Sequence, residues 1–384
     1  MVFLFWFLLS LIFYTMIGYP ILLEVMGKVF KGKQINKDLN YHPTVSVIVP
    51  AYNEEKVIER KILNLLDIDY DPLSIEIIIA SDHSTDNTNE IALKYVNSFP
   101  NRVKLINVQE RKGKTNAQNE AVEIAKGEIL VFTDANSLFS NDSVRELVSY
   151  FNDENIGYVA GRLIYTNKLS SETSSAENTY WNFDMRMRKI ESDLASITAG
   201  NGSIYAVRKN SYLMIPLVCS HDSIFPPRYV INNKRAVYNE KAIAFEKAGE
   251  TSEDEFKRKK RMARSIVSIN FIDIQKYNFF KYGLFSLFYF SHRFLRNNLY
   301  LMHVLVLLIN IMLVFKDRST VIYSIMLIGQ LILFLSPFIK LFSKIKIFKL
   351  VSHYMMTIYA QLIGAYREIT GKSKPFWEKA ESTR

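Results

Sequence analysis

The sequence predicts an α/β domain with a mostly parallel central sheet, flanked by membrane-spanning helices. Three observations carry that expectation. Short runs rich in β-branched residues (Val45 to Val49, Ile75 to Ile79, Val103 to Ile106, Ile129 to Phe132) alternate with segments of helical spacing. That alternation is the signature of a parallel sheet covered on both faces by helices. Long apolar runs lie on either side of this block, at Val2 to Leu23, Leu299 to Phe315 and Val321 to Ile339, each long enough to cross a ~30 Å hydrocarbon layer. The composition agrees: 384 residues leave room for about two domains, and 49% hydrophobic against 22% charged residues fits a soluble part joined to membrane segments.

The first apolar run carries no positive charge ahead of it, which favours a retained anchor (1–27) over a cleaved signal peptide. Lys28, Lys31 and Lys33 follow it and place its C-terminal end in the cytoplasm. After a polar linker the α/β block (44–265) begins. Val45 to Val49 is a buried strand. Glu54 to Leu66 has a helical stripe made by Val57, Ile58, Ile62, Leu65 and Leu66. Ile75 to Ile79 is a second strand and Thr88 to Val96 a helix. Val103 to Ile106, the helix Lys114 to Ala125 and the strand Ile129 to Phe132 complete the repeat. Downstream we expect a helix over Ser143 to Phe151, a strand over Gly157 to Ile164, a helix over Glu177 to Ile190 and a strand over Ser203 to Val207. His221, Asp222, Pro226 and Pro227 read as a loop, with short strands at Ala236 to Tyr238 and Ala242 to Phe245. Glu253 to Arg264 is a basic helix. Phe279 to Phe290 is short and aromatic and suits an interfacial segment (279–296). A C-terminal membrane region (297–366) follows. Its last part, Phe348 to Ala365, contains His353 and Gln361 and is open between a surface-lying segment and a third crossing. The tail, 367–384, is read as cytoplasmic.

The net charge of +10 admits nucleic acid, an anionic membrane face or phosphate-bearing substrates. Much of the excess borders apolar runs, and no nucleic-acid recognition motif is present, so a membrane partner is expected and nucleic acid is not. The single cysteine, Cys219, can form no intrachain disulfide and has no second cysteine for a zinc site. Gly113-Lys114-Thr115 lacks the leading glycine of a phosphate loop, since Val108 stands there. Gly200-Asn-Gly202 lacks the third glycine of a dinucleotide fingerprint, since Tyr205 stands there. The glycosylation-like triplet Asn201-Gly-Ser203 is irrelevant on the cytoplasmic side.

What remains is a rim of polar residues where strands end. Ligands on such sheets bind at the carboxyl ends of the strands. Those ends carry Asn53 and Glu54, then Asp82 and Asp86, then Arg111 to Lys114, then Asp134 and Asn136. Any one of these groups is also an ordinary helix cap; all in order are not. Asp134 and Asn136, read as an extended segment, point the same way and offer oxygen ligands to a hard divalent cation. Tyr180, Trp181 and Phe183 make either a sugar-stacking platform or helix packing.

With Val-Ser-Val-Ile-Val-Pro-Ala-Tyr-Asn-Glu-Glu, Ser-Asp-His-Ser-Thr-Asp, Lys-Gly-Lys-Thr-Asn-Ala-Gln-Asn, Thr-Asp-Ala-Asn and the later His-Asp and Arg-Lys-Lys-Arg-Met-Ala-Arg, the chain resembles family 2 inverting glycosyltransferases. The likeness spans roughly 44–264, and the flanking segments look like the membrane-embedded bacterial branch of poly-N-acetylglucosamine, hyaluronan and cellulose synthases. The resemblance implies a GT-A type nucleotide-sugar domain. It implies that Pro50, Ala51, Asn53 and Glu54 line the nucleoside pocket, that Asp82 meets base or ribose, and that Lys114 sits near the donor. Asp134 and Asn136 match the Asp-x-Asp element holding Mg²⁺ or Mn²⁺, with an amide in place of the second carboxylate. Asp222 matches the general base, with His221 where an acid usually precedes it. Arg261 and Arg264 match the Gln/Arg-x-x-Arg-Trp motif, with Ser265 at the tryptophan position. The implied partners are a nucleotide-sugar donor, a glycan or lipid-linked acceptor, membrane lipids and either an exporter or a second copy of the chain, at the cell membrane with the domain cytoplasmic. A single-addition transferase acting on a polyprenyl-phosphate or lipid-linked acceptor, and a non-catalytic scaffold retaining the fold, are the competing readings.

Overall fold

Two strands without an exposed residue, β1 (Val45–Ala51) and β2 (Ile75–Ser81), pair in parallel inside an eight-stranded sheet. Burial on both faces explains why their sequences run apolar rather than alternating. The others are β3 (Val103–Asn107), β4 (Ile129–Thr133), β5 (Leu138–Phe139), β6 (Ile156–Tyr165), β7 (Ile204–Arg208) and β8 (Arg235–Glu246), in the order β3-β2-β1-β4-β7-β6-β8-β5. The pairs β1–β2, β1–β4, β2–β3 and β6–β8 are parallel; β4–β7, β6–β7 and β5–β8 are antiparallel. The mixed, mostly parallel sheet is the one expected. The computed structural model describes residues 1–167, 172–249, 251–316, 321–339 and 346–376. They divide into a sheet unit (Gly27–Thr251, Asp273–Ser286 and Lys374 onward) and a helical unit (Met1–Met26, Ser252–Ile272, Leu287–Ser373).

Several expected boundaries move, each for a physical reason. The helix expected from Glu54 begins at Ile58. Residues 53–57 instead form a turn whose amides are taken by the facing loop: Glu54 N donates to Thr88 Oγ1 at 2.7 Å and Glu55 N to Asp86 Oδ2 at 3.2 Å. The two short strands expected around 236–245 are one, β8, with its register against β6 shifting between Ala160 and Arg162. Its polar middle, Asn239-Glu240-Lys241, lies at this irregularity, with Lys241 N donating to Asn239 Oδ1 at 3.0 Å, which hid the continuity of the strand. The loop expected at His221 and Asp222 is a helix, His221–Ile231, that contains Pro226 and Pro227. A proline lacks the N–H that would reach back four residues, so Pro226 leaves the Asp222 carbonyl without a helical partner. Gly200 N supplies the bond instead, at 2.7 Å.

In the helical unit, Val2–Val29, Leu299–Lys316 and Val321–Phe338 are long and apolar enough to cross a membrane. Phe5, Leu8, Leu299, Val306, Leu313, Met355 and Ile358 belong to its core. The segment 346–369 is one amphipathic helix, Lys346–Ile369. The basic helix Ser252–Met262 belongs to the same unit; its Lys259 donates to Thr357 Oγ1 at 2.8 Å. Where one interfacial helix was expected, Phe279–Tyr282 and Leu284–Phe288 are separated by Gly283 at φ 52°, a backbone state that only glycine adopts without strain.

Candidate active site

The rim starts where β1 and β2 end. Pro50 and Ala51 are the last residues of β1, paired with Ala80 and Ser81. Asn53 takes a left-handed backbone, φ 53°, and its side chain knits the two loops: Thr85 N donates to Asn53 Oδ1 at 2.8 Å, and Asn53 N donates to Ser84 Oγ at 3.1 Å. Glu54 is buried. Asp82 follows β2, is 4% exposed, and accepts Lys112 N at 3.1 Å and Gly113 N at 2.9 Å. Burial pushes its carboxyl above the usual range while these two N–H groups pull it back. Asp82 therefore fixes the loop that leads into helix Lys114–Ile124. Gly113 is obligatory there: φ is 96°, and a Cβ would stand 2.5 Å from the Pro375 carbonyl oxygen. Beside it the Arg111 guanidinium lies 3.7 Å from the Tyr52 ring centre and 4.8 Å from that of Phe376.

The second half of the rim is organised by Lys114. Its ammonium forms an ion pair with Asp134 and lies 3.5 Å from the Gly202 carbonyl oxygen. A Cβ built on Gly202 would meet Lys114 Nζ at 3.6 Å and Asp222 Oδ2 at 3.9 Å. Lys114, Asp134 and Asp222 thus gather around one glycine, with Asp82 holding the backbone just ahead of Lys114. The glycine loop is itself braced. Arg188, in a buried ion pair with Asp184 at 2.8 Å, donates to the Gly200 carbonyl, and Ser203 N donates to Asn201 Oδ1 at 3.0 Å. A side chain at Gly200 would collide with the Tyr158 hydroxyl.

Asp134 and Asn136 do not share a strand face. β4 ends at Thr133, and Ser137 N closes a turn on the Asp134 carbonyl at 3.1 Å. Asn136 Nδ2 instead donates to Glu246 Oε1 at 2.8 Å. Glu246 also accepts Ser137 Oγ at 3.1 Å and Ser203 Oγ at 3.0 Å. Beneath this turn lies Lys61, fully buried, donating to Thr133 Oγ1 at 2.8 Å and to the Ser137 carbonyl. Burial lowers its ammonium to about 7, against the pull of Asp134 and Glu246. Sequence reasoning missed both residues. The signal for Lys61 was a cation inside the apolar stripe of Ile58, Ile62 and Leu65; for Glu246 it was a carboxylate closing an apolar run at a strand end.

His221 is not beside Asp222 in function. It is 3% exposed, stacked on Phe225 at 4.3 Å between ring centres, with Nδ1 2.7 Å from the Tyr205 hydroxyl and Nε2 3.1 Å from that of Tyr212. Burial pushes it down to about 3, so it is a neutral core residue. Arg261 ends in the helix Ser252–Met262 and Arg264 in the turn behind it, both in the helical unit. Phe183 is exposed, whereas the side chains of Tyr180 and Trp181 lie outside the described residues.

No cluster of three or more acidic, histidine or cysteine side chains stands ready for a metal among the described residues. The oxygens present nonetheless suit a hard cation held jointly with a ligand. Asp134 is a carboxylate whose partner is a cation, Lys114. Asn136 has its nitrogen committed to Glu246, so its Oδ1, without a hydrogen bond among the described residues, is the atom left to coordinate.

The family described as Glycosyl transferase family 2 matches residues 46–213. The chain is similar to a beta-monoglucosyldiacylglycerol synthase of Nostoc sp. strain PCC 7120, 26% identical over 49% of this chain and 41% of that protein. It is similar to a poly-beta-1,6-N-acetyl-D-glucosamine synthase of Staphylococcus aureus strain COL, 28% identical over 41% of each. The match therefore spans less than half the length of these relatives. In fold it resembles the mannosyltransferase PcManGT from Pyrobaculum calidifontis, solved with GDP-Man and Mn²⁺, at a TM-score of 0.71 and 20% identity, covering 96% of this chain and 99% of that one.

Proposed function

We propose, from the match of residues 46–213 to Glycosyl transferase family 2, that this chain is a membrane-bound inverting transferase. It moves a sugar from a nucleotide-sugar, taken to be a UDP-sugar, to a growing envelope or extracellular polysaccharide. The observation that supports this best is the gathering of Lys114, Asp134 and Asp222 around Gly202. It puts a carboxylate able to take a proton next to a charged site able to hold a diphosphate.

The proposed roles join that geometry to the resemblance. Pro50, Ala51, Asn53, Glu54 and Asp82 frame the nucleoside. Lys114 holds the diphosphate. Asp222 takes the proton of the acceptor hydroxyl as its oxygen bonds the anomeric carbon. The bond from that carbon to the diphosphate breaks on the opposite face, and its electron pair leaves with the nucleoside diphosphate, inverting the configuration. A general base contributes ~10²–10⁴-fold to such a step. Asp134 and Asn136 hold Mg²⁺ or Mn²⁺, which when bound neutralises the charge of the departing diphosphate. The solved mannosyltransferase, in complex with GDP-Man and Mn²⁺, is consistent with a divalent metal without choosing between the two ions. Arg261 and Arg264 are assigned to the same charge on sequence alone. The three apolar helices support a multi-pass position in the cell membrane, with the domain cytoplasmic and an exporter or second copy as partner.

The relative that makes a glucosyldiacylglycerol favours a second reading, a single addition to a lipid-linked acceptor. Purified full-length protein in detergent, given radiolabelled nucleotide-sugars, separates the possibilities. Release of UDP with a ladder of products supports polysaccharide extension. UDP release with one product supports the lipid reading. No release from any donor leaves the non-catalytic scaffold.

A further inference from the structure

Asn136 stands where the resemblance places a second carboxylate, and the site loses one negative charge by it. The neighbourhood of Asn136 returns that charge. Glu246, at the end of β8, is reached by Asn136 Nδ2 at 2.8 Å, Ser137 Oγ at 3.1 Å and Ser203 Oγ at 3.0 Å. All three donors are neutral, and among the described residues no cation lies within ion-pair distance of Glu246; the buried Lys61 ammonium acts on it only from farther off, its own bonds going to Thr133 and the Ser137 carbonyl. A carboxylate only accepts, so the amide nitrogen of Asn136 must face it and the amide oxygen must face away. Glu246 also ties the Asp134–Ser137 turn to the loop after Gly202, the two segments between which the diphosphate would sit. On its outer side it lines a cleft of about 250 Å³ with Asn136, Lys56, Arg60 and Lys247.

We infer that Glu246 is a positioning residue for the divalent cation, acting through Asn136. It turns the amide oxygen toward the cation and supplies, one residue behind it, the negative charge that the amide lacks. The pair Asn136–Glu246 thus replaces a single ligating carboxylate. The inference rests on the metal-assisted reading above and deepens it.

Exchange of charge between the two positions is the test. Mn²⁺ affinity is read in the presence of UDP by electron paramagnetic resonance of free Mn²⁺, on full-length protein in detergent. Glu246→Gln should weaken Mn²⁺ by about 10–100-fold, the usual cost of losing a group that orients a ligand. Asn136→Asp should weaken it as well, because two carboxylates at hydrogen-bond distance repel or share a proton. The double variant Asn136→Asp/Glu246→Gln, with amide and carboxylate exchanged, should recover most of the affinity. Additive loss in the double variant, or wild-type affinity in Glu246→Gln, overturns the inference. Should Glu246→Gln fail to fold, Asn136→Asp alone decides: retained affinity overturns it and loss supports it. Wild-type protein that binds UDP no better with Mn²⁺ overturns the metal reading itself, and the inference with it. Mn²⁺-dependent binding in wild type combined with additive loss overturns the inference alone.

Discussion

The two halves of the sheet hold their rim residues by different means. In the parallel half, β3-β2-β1-β4, the side chains are fixed by backbone groups of the next strand–helix unit. Asp82 accepts from Lys112 and Gly113, 30 and 31 residues on, and Asn53 accepts from Thr85, 32 residues on. Where β4 meets the mixed half, β7-β6-β8-β5, side chains reach across much longer stretches of chain. Asn136 reaches Glu246 over 110 residues, and Lys114 reaches Gly202 over 88. The first arrangement, in the loops after β1 and β2, repeats one local rule in which backbone N–H groups are the donors. The second depends on particular charged or polar partners, and each has few substitutes. In the proposed function, donor holding falls mainly to the first arrangement and proton transfer to the second.

If that division is right, substitutions should have unequal consequences. The largest effect is expected at Asp222. Asp222→Asn should lower transfer by roughly 10²–10⁴-fold, the span of general-base catalysis, with donor affinity unchanged by calorimetry; a matching loss of donor binding would merge the two halves. Next is Lys61→Met, which strands the Ser137 carbonyl without its buried donor. A cost of about 1–3 kcal/mol should appear in urea unfolding of the full chain, and an unchanged midpoint would show that the turn does not lean on Lys61.

A smaller, pH-dependent effect belongs to His221. Its folded pKa, pushed to about 3, lies below the ordinary histidine value. The unfolded chain therefore binds the extra proton first, and stability falls as pH drops from about 6.5 toward 3. Thermal melts over that range should show a steeper decline in wild type than in His221→Gln; parallel curves would remove His221 as the cause. The smallest effect is expected at Asp82. Asp82→Asn keeps an acceptor for the loop amides but gives up the charge, about 1 kcal/mol. Donor affinity should fall only a few-fold, and complete loss would show that the parallel half is not as tolerant as its backbone bonding implies.

The same contrast explains what could be read in the sequence. The alternation of apolar runs with helical stripes gave β1 to β4 within a residue or two; burial on both faces leaves a direct compositional trace in β1, β2 and β4, and the half-buried edge strand β3 keeps apolar Val103, Leu105 and Ile106. The rim residues of that half were legible too, since each stands immediately after a strand. Glu246 and Lys61 were not, because nothing near them in the chain indicates that they meet Asn136 and Ser137. His221 looked like a substituted acid beside Asp222, yet the helix started at Ser220 turns its ring into the Phe132, Tyr205 and Phe225 cluster. The expected same-face pairing of Asp134 and Asn136 failed for a related reason. It assumed that the strand continued past Thr133, and the turn closed by Ser137 was not visible in a short polar stretch.

The central proposition is that donor holding and proton transfer are assigned to separate carboxylates around Gly202. The most direct test compares Asp134→Ala with Asp222→Asn in one experiment, measuring Mn²⁺-dependent UDP binding and sugar transfer on full-length protein. We expect Asp134→Ala to lose both, and Asp222→Asn to keep binding while losing transfer. Equal loss of binding in the two variants, or transfer that survives in Asp222→Asn, would contradict it.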